Sequence, residues 1–88
     1  MLQYSYERRF LKDVKKAEKR GKNIKKLKDV IALLLHEKPL SDRNRNHKLQ
    51  GNYKDCWECH IEPDWLLIYR KNLTEIICVR TGSHADLF

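Results

Sequence analysis

Eighty-eight residues, 41% hydrophobic and 35% charged with a formal net charge of +7, describe one small domain over residues 1–88 with a thin core. No apolar run approaches the roughly 20 residues of a membrane-spanning helix. Nothing apolar sits behind Met1-Leu2-Gln3 to suggest a secretory leader, so a cytoplasmic chain with reduced cysteines is expected.

The charge is one-sided. Residues 8–28 carry eleven Lys or Arg against only Asp13 and Glu18, a local net of +9. Ordinary solvated helices mix both signs, so a cation field of this kind points to a polyanion: nucleic acid or an acidic protein.

Leu2 to Tyr6 alternate and are rich in tyrosine, which predicts a first strand. From about Glu7 the period becomes helical, with Phe10, Leu11, Val14 and Ala17 on one face. Gly21 is the expected stop and Asn23 the expected N-cap of a second helix. That helix presents Ile24, Leu27, Val30, Ile31, Leu34 and Leu35 and should end before Pro39. His36 then falls at its C-terminus, where a cation suits the dipole. The two helices form an αα-hairpin with most basic residues outward.

Pro39 to Gly51 reads as loop. A strand from about Tyr53 to Ile61 should turn Trp57, Cys59 and Ile61 to the helices and Lys54, Glu58 and His60 the other way. Pro63 lacks an N–H and has a fixed φ, and with Asp64 it makes a hairpin turn. Residues 65–71 are apolar on both faces and belong at the centre of the sheet. Glu75 to Thr81 is the last strand, with Ile77 and Val79 inward and Arg80 on the opposite face. Ser83 to Phe88 form a short tail. The order is β-α-α-β-β-β, an α+β fold with an N-terminal strand, an αα-hairpin and a three-stranded antiparallel meander.

Cys56-Trp57-Glu58-Cys59-His60 matches the C-x-x-C-H of covalent haem attachment. That chemistry needs export and commonly a methionine ligand, and the sole methionine is Met1. Adjacent strand residues also point to opposite faces, which separates Cys59 from His60. A zinc site lacks a second ligand pair, and a redox dithiol would open a helix after a strand. No metal and no cofactor is expected.

His47, His60 and His84 lie in a loop, at a hairpin tip and in the tail, at the sheet margins where function concentrates. With Asp64 and Arg80 they suit RNA cleavage without a metal. A base takes the 2′-hydroxyl proton, an acid protonates the departing 5′-oxygen, and a cation steadies the phosphorus oxygens. Histidine serves either proton step near neutral pH. Arginine supplies the clamp, and Trp65 or Phe88 could stack on a splayed base.

The blocks His47-Lys48-Leu49-Gln50-Gly51, His60-Ile61-Glu62-Pro63-Asp64-Trp65-Leu66-Leu67-Ile68-Tyr69 and Arg80-Thr81-Gly82-Ser83-His84-Ala85-Asp86-Leu87-Phe88 resemble the YafQ branch of the RelE-like toxins of bacterial type II toxin–antitoxin systems. The resemblance spans essentially the whole chain. It implies a small sheet with an αα-hairpin packed on it. It also implies a ribosome-dependent mRNA endoribonuclease that cuts in the A site and is inhibited by a cognate antitoxin. Its partners would then be mRNA, ribosomal RNA and that antitoxin. The family's active-site positions fall on His47, His60, Asp64 and His84, with Arg80 and Phe88 as substrate contacts; Trp65 belongs to the same motif, where it fits packing as well as substrate contact, and Lys54 is a further candidate substrate contact. The basic hairpin would dock on ribosomal RNA. One departure precedes His60: relatives are often acidic or small there, and this segment carries Cys56 and Cys59. The alternative is a basic module that binds RNA or an antitoxin without cutting.

Overall fold

The computed structural model describes all 88 residues. Its order is β1 (Gln3–Tyr6), α1 (Arg8–Lys19), α2 (Ile24–Leu35), β2 (His47–Lys48), β3 (Trp57–Glu62), β4 (Trp65–Lys71), β5 (Glu75–Gly82) and α3 (His84–Leu87). Short 3₁₀ turns at Asp42–Asn44 and Gly51–Tyr53 flank β2. The strands form one sheet in the order β1-β5-β4-β3-β2. β1 runs parallel to β5, and the other neighbours are antiparallel.

Local chemistry explains the helix ends. After α1, the Gly21 N–H bonds the Glu18 carbonyl and the Lys22 N–H bonds the Ala17 carbonyl. This places Gly21 at φ +80°, where a side chain would be strained. Asn23 caps α2 by accepting from the Lys25 N–H at 3.1 Å. His36 closes α2, and Glu37 leaves it at φ 55° ahead of Pro39.

The αα-hairpin covers one face of the sheet. Phe10, Ala17, Leu27, Val30, Ile31 and Leu34 pack there with Cys59, Trp65, Leu67, Tyr69, Ile76 and Cys78. A smaller cluster, Cys56, Leu66, Ile68, Val79 and Leu87, fills the other face. β4 lies between the two, third of five strands, which accounts for its apolar run. The Pro63-Asp64 turn joins β3 to β4 with Glu62 opposite Trp65.

Four local expectations change. The strand expected from Tyr53 begins at Trp57, because Gly51–Tyr53 forms a 3₁₀ turn that leaves Lys54 outside it. His47 and Lys48 are a short edge strand, not loop; two residues are too few to show a period. The tail is a capped helix, α3. In β5, Ile76 and Cys78 face the helices, while Ile77 is half-buried and Val79 joins the smaller cluster. Adjacent isoleucines leave the alternation ambiguous. A bulge also breaks the register, pairing Ile68 with Arg80 but Tyr69 with Cys78.

Candidate active site

The site gathers at the margin of the smaller face, where β2, the end of β3, the Pro63-Asp64 turn and α3 meet. Glu58 and His60 are two residues apart on β3 and share a face. His47 on β2 lies opposite Glu58. The Glu58 carboxylate, almost fully buried, stands 3.2 Å from His60 Nε2 and 3.6 Å from His47 Nε2. His60 Nδ1 faces the Pro63 carbonyl at 3.2 Å, and His47 Nδ1 faces the Arg45 carbonyl at 2.7 Å. A carbonyl only accepts, and so does an ionised carboxylate. His60 therefore faces an acceptor at each ring nitrogen, one of them the Glu58 carboxylate.

His84 opens α3. Ser83 caps the helix, and its side chain and that of Asp86 satisfy one another's backbone N–H groups. Asp64 reaches across from the hairpin turn. Its Oδ1 accepts from the His84 backbone N–H at 2.9 Å and lies 3.0 Å from His84 Nδ1. These two contacts hold the Asp64 carboxyl below its ordinary value, the backbone bond most strongly. With Nδ1–H donated to Asp64, His84 Nε2 is left for chemistry, on a side chain 56% exposed. The His60 and His84 ring centroids are 5.8 Å apart, close enough to address one phosphate. Phe88 is 64% exposed and packs edge-on against Tyr53 at 5.5 Å. Its ring centre is 6.2 Å from that of His84, so an unpaired base could lie there.

His47, His60, Asp64, His84 and Phe88 are thus brought together. Three other candidates are placed differently. Trp65 is 1% exposed, and its indole N–H donates to Thr81 Oγ1 at 2.9 Å. It offers no free face to a base, so its expected role as a substrate contact gives way to packing. Lys54 is exposed at the end of the 3₁₀ turn, and no hydrogen bond or ion pair ties it to the cluster. Arg80 sits near Tyr53, but its guanidinium is bound to Asp13 of α1 at 2.6 and 3.1 Å and is largely buried. β1 covers β5 only as far as Cys78, and Asp13 takes the open edge beyond it, accepting the Thr81 N–H as well.

Glu58 is the member of this cluster that sequence reasoning did not single out. Its place two before His60 on the same strand face was the available signal. The departure set against Cys56 and Cys59 accordingly disappears, because that position is acidic. The cysteines are buried and free, Cys56 in the smaller cluster and Cys59 in the larger, on opposite faces. Burial pushes the Cys59 and Cys78 thiols up to about 12. The C-x-x-C-H spacing therefore builds no site. A different group could hold a metal ion: Glu58, His60 and His84 offer ligand atoms within 4.8 Å of one another.

Over residues 2–88 the chain matches the family described as bacterial toxin of type II toxin-antitoxin system, YafQ. It is 43% identical over 84 residues to the mRNA interferase toxin YafQ of Escherichia coli K12, covering 94% of this chain and 91% of that one. The toxin in the crystal structure of the E. coli DinJ-YafQ toxin-antitoxin complex superposes with a TM-score of 0.91 at 41% identity, covering 99% of this chain and 97% of that one. A metal-bound toxin from Helicobacter pylori superposes with a TM-score of 0.93 at 39% identity over the whole of both chains.

Proposed function

Because the chain belongs to the YafQ family of bacterial type II toxins, we propose that it is an endoribonuclease that cuts messenger RNA and is neutralised by a cognate antitoxin. The observation that carries this reading is the convergence of His60, His84, Asp64 and Glu58 on one surface beside the exposed Phe88. In this reading cleavage takes place on mRNA in the ribosomal A site, in the cytoplasm. No helix of the chain is long and apolar enough to cross a membrane.

The reaction is transesterification followed by departure. The 2′-oxygen attacks the adjacent phosphorus as its proton leaves, and the P–O5′ bond breaks. The products are a 2′,3′-cyclic phosphate and a 5′-hydroxyl. His84 exchanges protons with the substrate through Nε2, while Asp64 holds the ring by Nδ1. His60, held between the Pro63 carbonyl and the Glu58 carboxylate, and His47 beside it on the edge strand share the remaining work of holding the phosphate and protonating the leaving oxygen. His47 shares the Glu58 charge from the edge strand. Phe88 stacks on a base splayed out for cleavage. A metal bound by Glu58, His60 and His84 would occupy the nitrogens this chemistry needs, and no step runs through one.

Primer extension on mRNA from cells briefly expressing the chain tests the reading. Discrete 5′-hydroxyl ends within codons are expected. Positioned acid–base groups are worth about 10²- to 10⁴-fold, so His84→Ala should lose that much cleavage while keeping its fold. Full cleavage by that variant would remove His84 from the mechanism. RNA binding without cut ends would make the chain a binding module.

A further inference from the structure

The cation expected to clamp the phosphate, Arg80, is neutralised by Asp13. The charge that holds the RNA backbone at the site must then come from elsewhere. Beside His60 lies an open cavity of about 520 Å³ whose wall includes Lys26, Arg43 and Arg45. Its one carboxylate, Glu62, already bonds Lys22 and Lys26, each at 3.0 Å. Arg43 and Arg45 are exposed and have no carboxylate partner, and Asp42 between them and Ser41 does not line the cavity.

This loop is bolted to both histidines of the β2–β3 edge. Ser41 Oγ donates to Asn44 Oδ1 at 3.0 Å, which turns the Asn44 amide nitrogen toward β3. That nitrogen donates to the His60 carbonyl at 2.7 Å. The Arg45 carbonyl faces His47 Nδ1 at 2.7 Å. Arg45 itself is held at φ 45°, ψ 49°, a conformation costing a non-glycine residue about 1 kcal/mol. Glu37 in the same connection also takes a positive φ, so it is the two bonds that tie this loop to the histidine edge.

We propose that the Asp42–Arg45 loop is a phosphate-binding wall of the active site. Arg43 and Arg45 hold backbone phosphates of single-stranded RNA next to the scissile one. Planar guanidinium groups free of partners suit bidentate binding of phosphate oxygens. Fixing the loop to His47 and His60 sets the register of the bound strand against the reacting groups. The proposal rests on the ribonuclease reading above, and its test separates the two.

The double variant Arg43→Gln/Arg45→Gln is compared with the unaltered chain for cleavage of mRNA on programmed ribosomes. Losing two phosphate contacts should raise KM about tenfold or more and leave kcat nearly unchanged, with the salt dependence of binding flattened by roughly one to two in log–log slope. An unchanged KM and slope overturns the proposal, as does a fall confined to kcat. Weaker antitoxin binding with KM unchanged assigns the surface to a protein partner and also overturns it. If the unaltered chain makes no cuts, the ribonuclease reading fails instead. Fluorescence anisotropy of a labelled single-stranded RNA oligonucleotide then decides the arginines: equal binding by both proteins overturns the proposal, and weaker binding by the variant upholds it.

Discussion

Glu58 sits between two histidines, its carboxylate 3.2 Å from His60 Nε2 and 3.6 Å from His47 Nε2. Glu58→Gln keeps the shape and removes the carboxylate that faces both His60 and His47. Since a complete acid–base contribution is worth about 10²- to 10⁴-fold, a residue acting through the histidines should account for part of it, and the variant should cleave about tenfold or more slowly. A purely structural role predicts lower stability and unchanged cleavage by the protein that remains folded; a role through the histidines slows cleavage at an unchanged melting temperature, which kinetics and thermal unfolding of the same preparation would separate. The sequence already placed Glu58 and His60 on one strand face, and it placed Pro63 and Asp64 in the turn. It could not show that Asp13 captures Arg80, because 67 residues separate that pair and a bulge directs it. Nor could it settle Trp65, whose motif position fits packing and substrate contact equally until burial is known. The cysteines carry their own expectation. Buried thiols raised to about 12 stay protonated, so Cys59 and Cys78 should resist iodoacetamide in the native protein and react once it is unfolded.

At the level of elements, α3 needs the most explanation. Four residues cannot sustain a helix alone. This one is held by Leu87 in the smaller cluster, by Tyr53 donating to the Leu87 carbonyl at 3.3 Å, by Asp64 on His84, and by Asp86. Asp86 completes the cap of Ser83 and also binds Arg20 and Lys16 of α1. The hydrogen bonds from Arg20 and Ser83 hold the Asp86 carboxyl far below its ordinary 3.8, and His84 lowers that of Asp64. Both carboxylates therefore favour the docked helix above about pH 4. That contribution is lost as pH falls through their lowered values. Undocking of the helix, followed by NMR from pH 7 to 2 as collapse of the amide dispersion of residues 83–88, should come on the acid side of 3.8. Asp86→Asn should loosen α3 at neutral pH and slow cleavage with the rest of the fold intact; unchanged signals and unchanged cleavage would mean that Asp86 does not position His84. The tail escaped sequence reading because its stability lies in contacts with α1, β5 and the hairpin turn. The αα-hairpin did not, because its periodicity, its glycine stop and its asparagine cap are local.

Across the whole molecule the charge is divided between layers. Asp86 and Glu62 draw Arg20, Lys16, Lys22 and Lys26 inward and stitch the helices to the site, and Lys25 pairs with Asp29 along α2. Lys12, Lys15 and Lys19 have no carboxylate partner and project from one exposed face of α1, spaced three and four residues apart. The basic segment read from the sequence is thus two populations with different work: one fastens the fold and the other faces solvent. Only the second can release counter-ions on meeting a polyanion, and each neutralised phosphate adds about 0.7 to 0.9 to the salt slope of binding. Lys12→Gln/Lys15→Gln/Lys19→Gln should therefore weaken ribosome association and lower that slope by about two to three, with melting temperature and the chemical step unchanged. Because these lysines form no structural pair, a large loss of stability would contradict the division. A salt slope equal to that of the unaltered chain would instead place the docking surface elsewhere, leaving the loop arginines beside His60 as the principal contact with RNA.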